Sequence, residues 1–168
     1  PVRHARQHIV ELAIDRRRIL LHGPSGTGKT SCAEGIAHAL ALPFAVVSTE
    51  RIVDSHLGDS SKNIAKLITE LGRAAPCVAL LDEADSLLAT RIRSPKSSSY
   101  AELVIITSTF LRMIERGALN VLVVAATNRI EQIDDAMQRR WCDVLMFDRP
   151  SPAELRKFSG DFIRERNL

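Results

Sequence analysis

The sequence predicts an α/β fold, in which a five-stranded parallel sheet lies between two layers of helices. Short apolar runs recur along the chain, and longer amphipathic stretches alternate with them. Each apolar run is hydrophobic at consecutive positions, as expected of strands covered on both faces. Regular alternation of strand and helix indicates right-handed crossovers, and therefore parallel strands. Ligands of such sheets bind at the carboxyl ends of the strands.

The predicted elements can be read in chain order. The strands are Arg18–His22, Phe44–Ser48, Cys77–Leu81, Val121–Ala125 and Val144–Phe147. The helices occupy about residues 28–41, 60–73, 98–116 and 151–166. On the second helix, apolar residues recur at helical spacing and predict one buried stripe, made of Ile64, Leu67, Ile68 and Leu71.

Composition excludes several classes of protein. The 168 residues are 45% hydrophobic and 26% charged, as expected of one globular domain with a core of its own. A formal net charge of +3 does not favour nucleic acid as a partner. Neither a signal-peptide pattern nor an apolar run of membrane-spanning length is present, so we expect a cytoplasmic location. Because the chain begins with Pro1, we expect it to be part of a longer protein.

The three cysteines do not form a recognisable pattern. Cys32, Cys77 and Cys142 lie far apart, without the spacing of a zinc site. Their odd number does not suit a disulfide framework. We expect free, buried thiols in a reducing compartment.

The segment 23–30 reads GPSGTGKT and satisfies the pattern GxxxxGK[ST] between a predicted strand and a helix. Its glycines permit turns that let backbone N–H groups converge on an anion, and the helix adds its positive end. We expect Lys29 to reach the β- and γ-phosphates of ATP or GTP, and the Thr30 hydroxyl to bind Mg²⁺. The predicted phosphate-binding residues are Gly23, Pro24, Ser25, Gly26, Thr27, Gly28, Lys29, Thr30 and Ser31.

Two acids end the third predicted strand. Buried carboxylates require compensation, and Mg²⁺ held by Asp82 would provide it. Glu83 is then the candidate general base that activates water. An exposed acidic turn explains this pair equally well by itself, but the phosphate-binding pattern upstream favours the site. Asn128 follows the next strand, where it could orient the same water, although a lone Asn there is commonly a turn residue.

Four segments together resemble AAA+ ATPases. Residues 23–30, 80–85, 125–129 and 133–141 are similar to the Walker A, Walker B, sensor 1 and arginine-finger regions. The chain is most similar to the branch with proteasomal ATPases, FtsH, microtubule-severing enzymes and bacterial stand-alone AAA proteins. The resemblance implies a P-loop NTPase sandwich with strand order 5-1-4-3-2. It also implies a large α/β subdomain over residues 1–150, with residues 151–168 as the start of a helical lid or a linker to it.

The resemblance assigns further residues. Arg139 or Arg140 would enter the site of a neighbouring subunit, where an arginine finger contributes about 10³–10⁵ in rate. Shared sites imply a homo-oligomer, usually a hexameric ring. His56 and Leu57 would form the substrate-binding pore loop, at which related proteins carry an aromatic and an aliphatic residue. Without the resemblance, the arginines would be a solvated pair and His56 an ordinary loop residue.

The sequence therefore favours an ATP-hydrolysing ring that remodels or unfolds protein substrates. With the lid incomplete, we expect weak nucleotide affinity and poor hydrolysis from this chain alone. A DNA-directed loader or motor is the first alternative, but it calls for a basic pore loop, and this loop carries Asp54 and Asp59. A nucleotide-gated scaffold with little turnover is the second, and the presence of Glu83 and Asn128 disfavours it.

Overall fold

A five-stranded parallel sheet forms the centre of the chain. The computed structural model describes residues 18–49, 59–88, 107–114, 119–133 and 135–165. The strands are β1 (Arg18–His22), β2 (Phe44–Ser48), β3 (Cys77–Asp82), β4 (Val121–Thr127) and β5 (Asp143–Met146). Their order is β2-β3-β4-β1-β5, which confirms the predicted order when read from the other edge.

Helices follow the strands as predicted, with two short additions. The helical elements are α1 (Lys29–Ala39), α2 (Asp59–Ala74), α3 (Asp85–Leu88), α4 (residues 107–114), a 3₁₀ turn (Ile130–Gln132), α5 (Asp135–Gln138) and α6 (Pro152–Glu165). The sequence did not predict α3 and α5. Each has four residues, too few to show a helical period.

Both faces of the sheet are covered. Ile19 and Leu21 of β1 pack with α1 in one cluster, and Leu20 packs with α2 and α4 in the other. All three of these side chains are fully buried, as continuous hydrophobicity predicted. The predicted stripe on α2 is confirmed, since Ile64 and Leu71 are buried and Leu67 and Ile68 pack partly buried against the same cluster.

The edge strands depart from the expectation that every strand is covered on both faces. Val46 of β2 is 60% exposed and Met146 of β5 is 67% exposed. Among the described residues, each of these strands pairs with a neighbour on one side only, and its outer margin is less covered than the central strands. A run of apolar residues does not distinguish a central strand from an edge strand.

The cysteines follow the prediction in part. All three cysteines are free, and Cys32 and Cys77 are buried. Cys142 is half-buried instead, with its Sγ 3.6 Å from a guanidinium nitrogen of Arg18.

Within the described ranges, we find no helix of the length and apolar character that crossing a membrane would need.

Strand register brings the predicted site segments together. His22 at the end of β1 lies opposite Thr127 at the end of β4. At the end of β3, Asp82 lies opposite Ser48 of β2. The phosphate-binding loop, the acidic pair and the segment around Asn128 therefore all leave the sheet at one edge.

Candidate active site

The loop between β1 and α1 is shaped by glycine. Gly23, Gly26 and Gly28 have φ angles of 141°, 79° and 92°, which lie in the region that L side chains avoid. Gly28 directly precedes the first turn of α1. Inside the loop, the Thr27 hydroxyl donates to the carbonyl oxygen of Pro24 at 2.9 Å. The backbone therefore curls around the N-terminal end of a helix, where anions bind.

Lys29 is a buried cation at this loop. Its side chain is 7% exposed, and Nζ donates to the carbonyl oxygens of Gly23 at 2.8 Å and Pro24 at 2.7 Å. Burial lowers the pKa of Lys29, and the nearby charge of Asp82 partly offsets this effect. An ammonium group has three donors. Two of them hold the loop, which leaves one for an anion in the cleft.

The acidic turn begins at the last residue of β3. Asp82 is half-buried, and its Oδ1 accepts a hydrogen bond from the backbone N–H of Glu83 at 3.1 Å. Glu83 is exposed and has a φ of 51°. This left-handed conformation costs a residue with a Cβ about 1–2 kcal/mol. The next N–H, of Ala84, donates to the carbonyl oxygen of Ala126 at 2.9 Å and ties the turn to β4.

A buried threonine that the sequence analysis missed supports this turn. Thr49 follows β2 and has no exposed surface. Its Oγ1 lies 2.7 Å from the carbonyl oxygen of Asp82 and 2.8 Å from that of Glu83. The hydroxyl of Ser86 is also 2.8 Å away. The only sequence signal was a hydroxyl residue directly after a strand, which is common at strand ends.

A second buried threonine supports the segment around Asn128. Thr127 is 1% exposed, and its hydroxyl donates to Oδ1 of Asp85 at 2.8 Å. The Thr127 Oγ1 in turn accepts a hydrogen bond from the backbone N–H of Arg129 at 2.9 Å. These bonds join the end of β4 to the helix that follows the acidic turn. Asn128, between Thr127 and Arg129, is exposed.

These segments line one cleft of about 330 Å³, a volume within the range of small-molecule sites. The lining residues that lie in the described part of the chain were all predicted from the sequence. They are Ser25, Gly26, Gly28, Lys29, Thr30, Ser31, Asp82, Glu83 and Asn128. The lining combines the ammonium of Lys29 and the glycine-rich loop with the carboxylates of Asp82 and Glu83.

The donors in the cleft fit a magnesium ion held together with phosphates. The Thr30 hydroxyl and the Asp82 carboxylate line the same cleft. Mg²⁺ is commonly bound through one or two carboxylates, substrate phosphates and water, without a complete cage of protein ligands. The described part of the chain has no group of three or more acidic, His or Cys side chains that could hold a metal alone.

The remaining predicted residues lie elsewhere. Gly23, Pro24 and Thr27 belong to the loop but do not line the cleft. Arg139 and Arg140 follow α5 and do not line it either. His56 and Leu57 lie outside the described residues.

The two arginines differ in their surroundings. Arg140 is half-buried, its guanidinium lies 3.5 Å from the carbonyl oxygen of Ser108, and its own carbonyl accepts a hydrogen bond from Arg18. Arg139 is exposed, and its backbone N–H closes the end of α5 by donating to the carbonyl of Asp135 at 3.0 Å. Arg140 is therefore engaged within its own chain, whereas Arg139 projects towards solvent.

Comparison with known proteins agrees with this geometry. Residues 19–149 match the model of the family described as "ATPase family associated with various cellular activities (AAA)". The uncharacterized AAA family ATPase y4kL of Sinorhizobium fredii is 38% identical over 153 residues, which are 91% of this chain and 44% of that protein. The peroxisomal ATPase PEX6 of Rattus norvegicus is 33% identical over 141 residues, covering 83% of this chain and 14% of that protein.

A solved structure is also similar. The crystal structure of the FIGL-1 AAA domain in complex with ADP has a TM-score of 0.70 and 25% sequence identity. The match covers 89% of this chain and 49% of that chain. This chain therefore spans less than half the length of each of these proteins.

Proposed function

Because this chain belongs to the AAA family of ATPases, we propose that it binds Mg·ATP in the cleft and hydrolyses it within a homo-oligomeric ring. One observation carries the proposal. A buried ammonium, two carboxylates and an amide side chain line a single cleft at the N-terminal end of a helix. They belong to Lys29, Asp82, Glu83 and Asn128. Phosphate binding needs the first group, and hydrolysis needs the others.

Binding rests on the loop and Lys29. The positive φ angles of Gly26 and Gly28 support inward-facing N–H groups, and Lys29 adds a charge that little water screens. Charge-assisted hydrogen bonds to phosphate are about twice as strong as neutral ones. Mg²⁺, held by Thr30 and Asp82, would neutralise phosphate charge as the reaction proceeds.

Hydrolysis rests on Glu83 and Asn128. The metal-binding role is assigned to Asp82, and the exposed Glu83 lines the same cleft, where its carboxylate can accept the proton of an attacking water. Asn128 lines the same cleft and can orient that water through its amide. Proteins catalyse phosphoryl transfer by positioning the reactants and by stabilising charge, and alignment of the water with the γ-phosphate belongs to the first of these.

The arginine finger is supplied by a neighbouring subunit, and we assign it to Arg139. Its exposure leaves the guanidinium able to reach across an interface, whereas Arg140 is held against Ser108. A head-to-tail interface gives a ring when its rotation brings the last subunit back to the first. Hydrolysis would then depend on contacts between subunits, and a hexamer is the expected assembly.

The ring acts on protein substrates in this proposal, with His56 and Leu57 as the contact in the pore. The helix α6 begins the lid that completes the nucleotide site. In support, the side chains of residues 151–157 are exposed, and Leu155 remains 49% exposed. An apolar residue of this size, exposed on the first turns of a helix, suits packing against further chain.

Nucleotide titration tests the proposal. A fluorescent ATP analogue should bind this chain in the presence of Mg²⁺, and Lys29→Ala should abolish that binding. Lys66→Ala is the matched control, because Lys66 is an exposed helix residue paired only loosely with Glu70 at 3.9 Å. Equal binding by the Lys29 variant and the wild type would overturn the proposed site. Phosphate release, measured at concentrations that favour assembly, then tests hydrolysis.

A further inference from the structure

The backbone at Glu83 is held in a conformation that must be enforced. Its φ of 51° places an L residue in the left-handed region. Residues persist there only when their surroundings over-determine the conformation. The backbone at this position sets the direction of the Cα–Cβ bond. It therefore limits the positions that the carboxylate of Glu83 can reach.

Thr49 contacts the two peptide groups on either side of the Glu83 Cα. The carbonyl of Asp82 belongs to the peptide group before this Cα, and the carbonyl of Glu83 to the peptide group after it. The Thr49 hydroxyl lies 2.7 Å from the first oxygen and 2.8 Å from the second. Rotation about φ or ψ of Glu83 would move one oxygen relative to the other, so a single fixed hydroxyl near both restricts both angles.

The hydroxyl is itself well fixed. Thr49 has no exposed surface and directly follows β2, which pairs with β3 through Ser48 and Asp82. The hydroxyl of Ser86 lies 2.8 Å from Thr49 Oγ1 and also donates to the carbonyl of Glu83. In the described part of the chain, the polar contacts of Thr49 Oγ1 go to Asp82 and Glu83 of the acidic turn and to Ser86 at the start of α3.

We propose that Thr49 is a positioning residue, whose hydroxyl holds the backbone of Glu83 so that its carboxylate faces the attacking water. This inference rests on the proposed function, because it assumes that Glu83 is the general base. Thr49 touches neither phosphate nor water in this role. It acts through Glu83 alone, so its loss should affect turnover and spare nucleotide binding.

Thr49→Val tests the proposal, because it removes the hydroxyl and nearly preserves shape. We expect kcat for ATP hydrolysis to fall about 10–100-fold, the range for a catalytic group displaced by up to 1 Å. KM and the affinity for the ATP analogue should stay at the wild-type value. Thr49→Ser retains the hydroxyl and should retain most of the activity.

Thr107→Val is the matched control. Thr107 is also a buried threonine, at 1% exposure, and in the described part of the chain its Oγ1 has no hydrogen-bond partner. The same chemical change there should leave kcat unaltered. If Thr49→Val is not recovered folded, Thr49→Ser and Thr49→Ala provide the comparison, because they differ only by the hydroxyl.

Amide hydrogen exchange separates this proposal from the proposed function. Thr49→Val should speed exchange in residues 83–88, where N–H groups of Ala84 and Ser86 are hydrogen-bonded, and Thr107→Val should not. Wild-type kcat in Thr49→Val, or nucleotide affinity lost in parallel with kcat, would overturn the positioning role. If the wild-type chain releases no phosphate, the proposed function fails. Independently of that result, unchanged amide hydrogen exchange in Thr49→Val would contradict the positioning role of Thr49.

Discussion

The Cα of Gly23 lies so close to Phe147 that a Cβ built on Gly23 would be 2.0 Å from the Phe147 carbonyl oxygen. The approach follows from sheet pairing, because the N–H of Phe147 donates to the carbonyl of His22 at 2.7 Å. On the other side, the N–H of Gly23 donates to the carbonyl of Thr127 at 3.2 Å. The first residue of the phosphate-binding loop is therefore enclosed between the ends of β4 and β5.

Gly23→Ala should therefore damage both stability and binding. The new methyl group meets backbone, which cannot rotate away, and the φ of 141° is unfavourable for alanine. We expect the free energy of unfolding to fall by at least about 2 kcal/mol and nucleotide affinity to drop. Denaturant unfolding and titration measure these effects. Gly160→Ala is the control, since a Cβ there meets no atom within 4 Å and α6 should gain stability. Equal stability of the two variants would contradict the prediction.

Nucleotide affinity should begin to fall at an unusually low alkaline pH. Burial lowers the pKa of Lys29 below its ordinary value of 10.5, so the ammonium loses its proton earlier than an exposed lysine does. Titration of the ATP analogue between neutral pH and pH 10.5 should show the loss. Lys29→Arg is the control, because a guanidinium remains charged over this range and its affinity should not show the step.

The same shift has a defined sign for stability. Between the lowered pKa and 10.5, the unfolded chain binds more protons at Lys29 than the folded chain does. The contribution of this group to the free energy of unfolding therefore rises with pH across that window. Denaturant unfolding of the wild type relative to Lys29→Met should show this rise. A difference that falls with pH would contradict the sign.

Glu83→Gln should separate binding from hydrolysis. Glutamine preserves the size of the side chain but cannot accept a proton from water, so phosphate release should stop. Affinity for the ATP analogue should remain, and the assembly should become more stable because nucleotide persists in it. Glu70→Gln makes the same change at an exposed position paired with Lys66, and it should hydrolyse ATP as the wild type does. Phosphate release by Glu83→Gln at the wild-type rate would exclude Glu83 as the base.

Mixing experiments should distinguish Arg139 from Arg140. Arg139→Ala keeps its own nucleotide site, and a Lys29→Ala chain keeps its finger, so a mixture should recover hydrolysis that neither chain has alone. Arg140→Ala should instead lower the melting temperature, because its guanidinium lies against Ser108 within the same chain. If no mixture recovers hydrolysis, the sites are not shared. If only Arg140→Ala is rescued by mixing, the finger is Arg140.

Most of the sheet was predictable because central strands are encoded locally. Successive side chains of β3 point to opposite faces of the sheet, and Val78, Ala79 and Leu80 are all buried. An uninterrupted apolar run is the direct consequence of a strand that is covered on both faces. The cleft was predictable for a similar reason. The loop conformation requires glycine, and phosphate and metal require a lysine and an acid at the end of a strand. Each requirement produces a short, recognisable sequence pattern.

Residue order alone thus established the class of fold, the strand positions and the residues that line the cleft. Folding in three dimensions was needed to reveal that the Thr49 hydroxyl lies within hydrogen-bond distance of the Asp82 and Glu83 carbonyls. It also revealed that Thr127 binds Asp85, and that Arg140 contacts Ser108 while Arg139 is exposed. Thr49 and Glu83 are 34 positions apart, and Thr127 and Asp85 are 42 apart. No local pattern encodes such a pair. A threonine after a strand looks the same in the sequence whether its hydroxyl faces water or contacts the turn that follows a neighbouring strand.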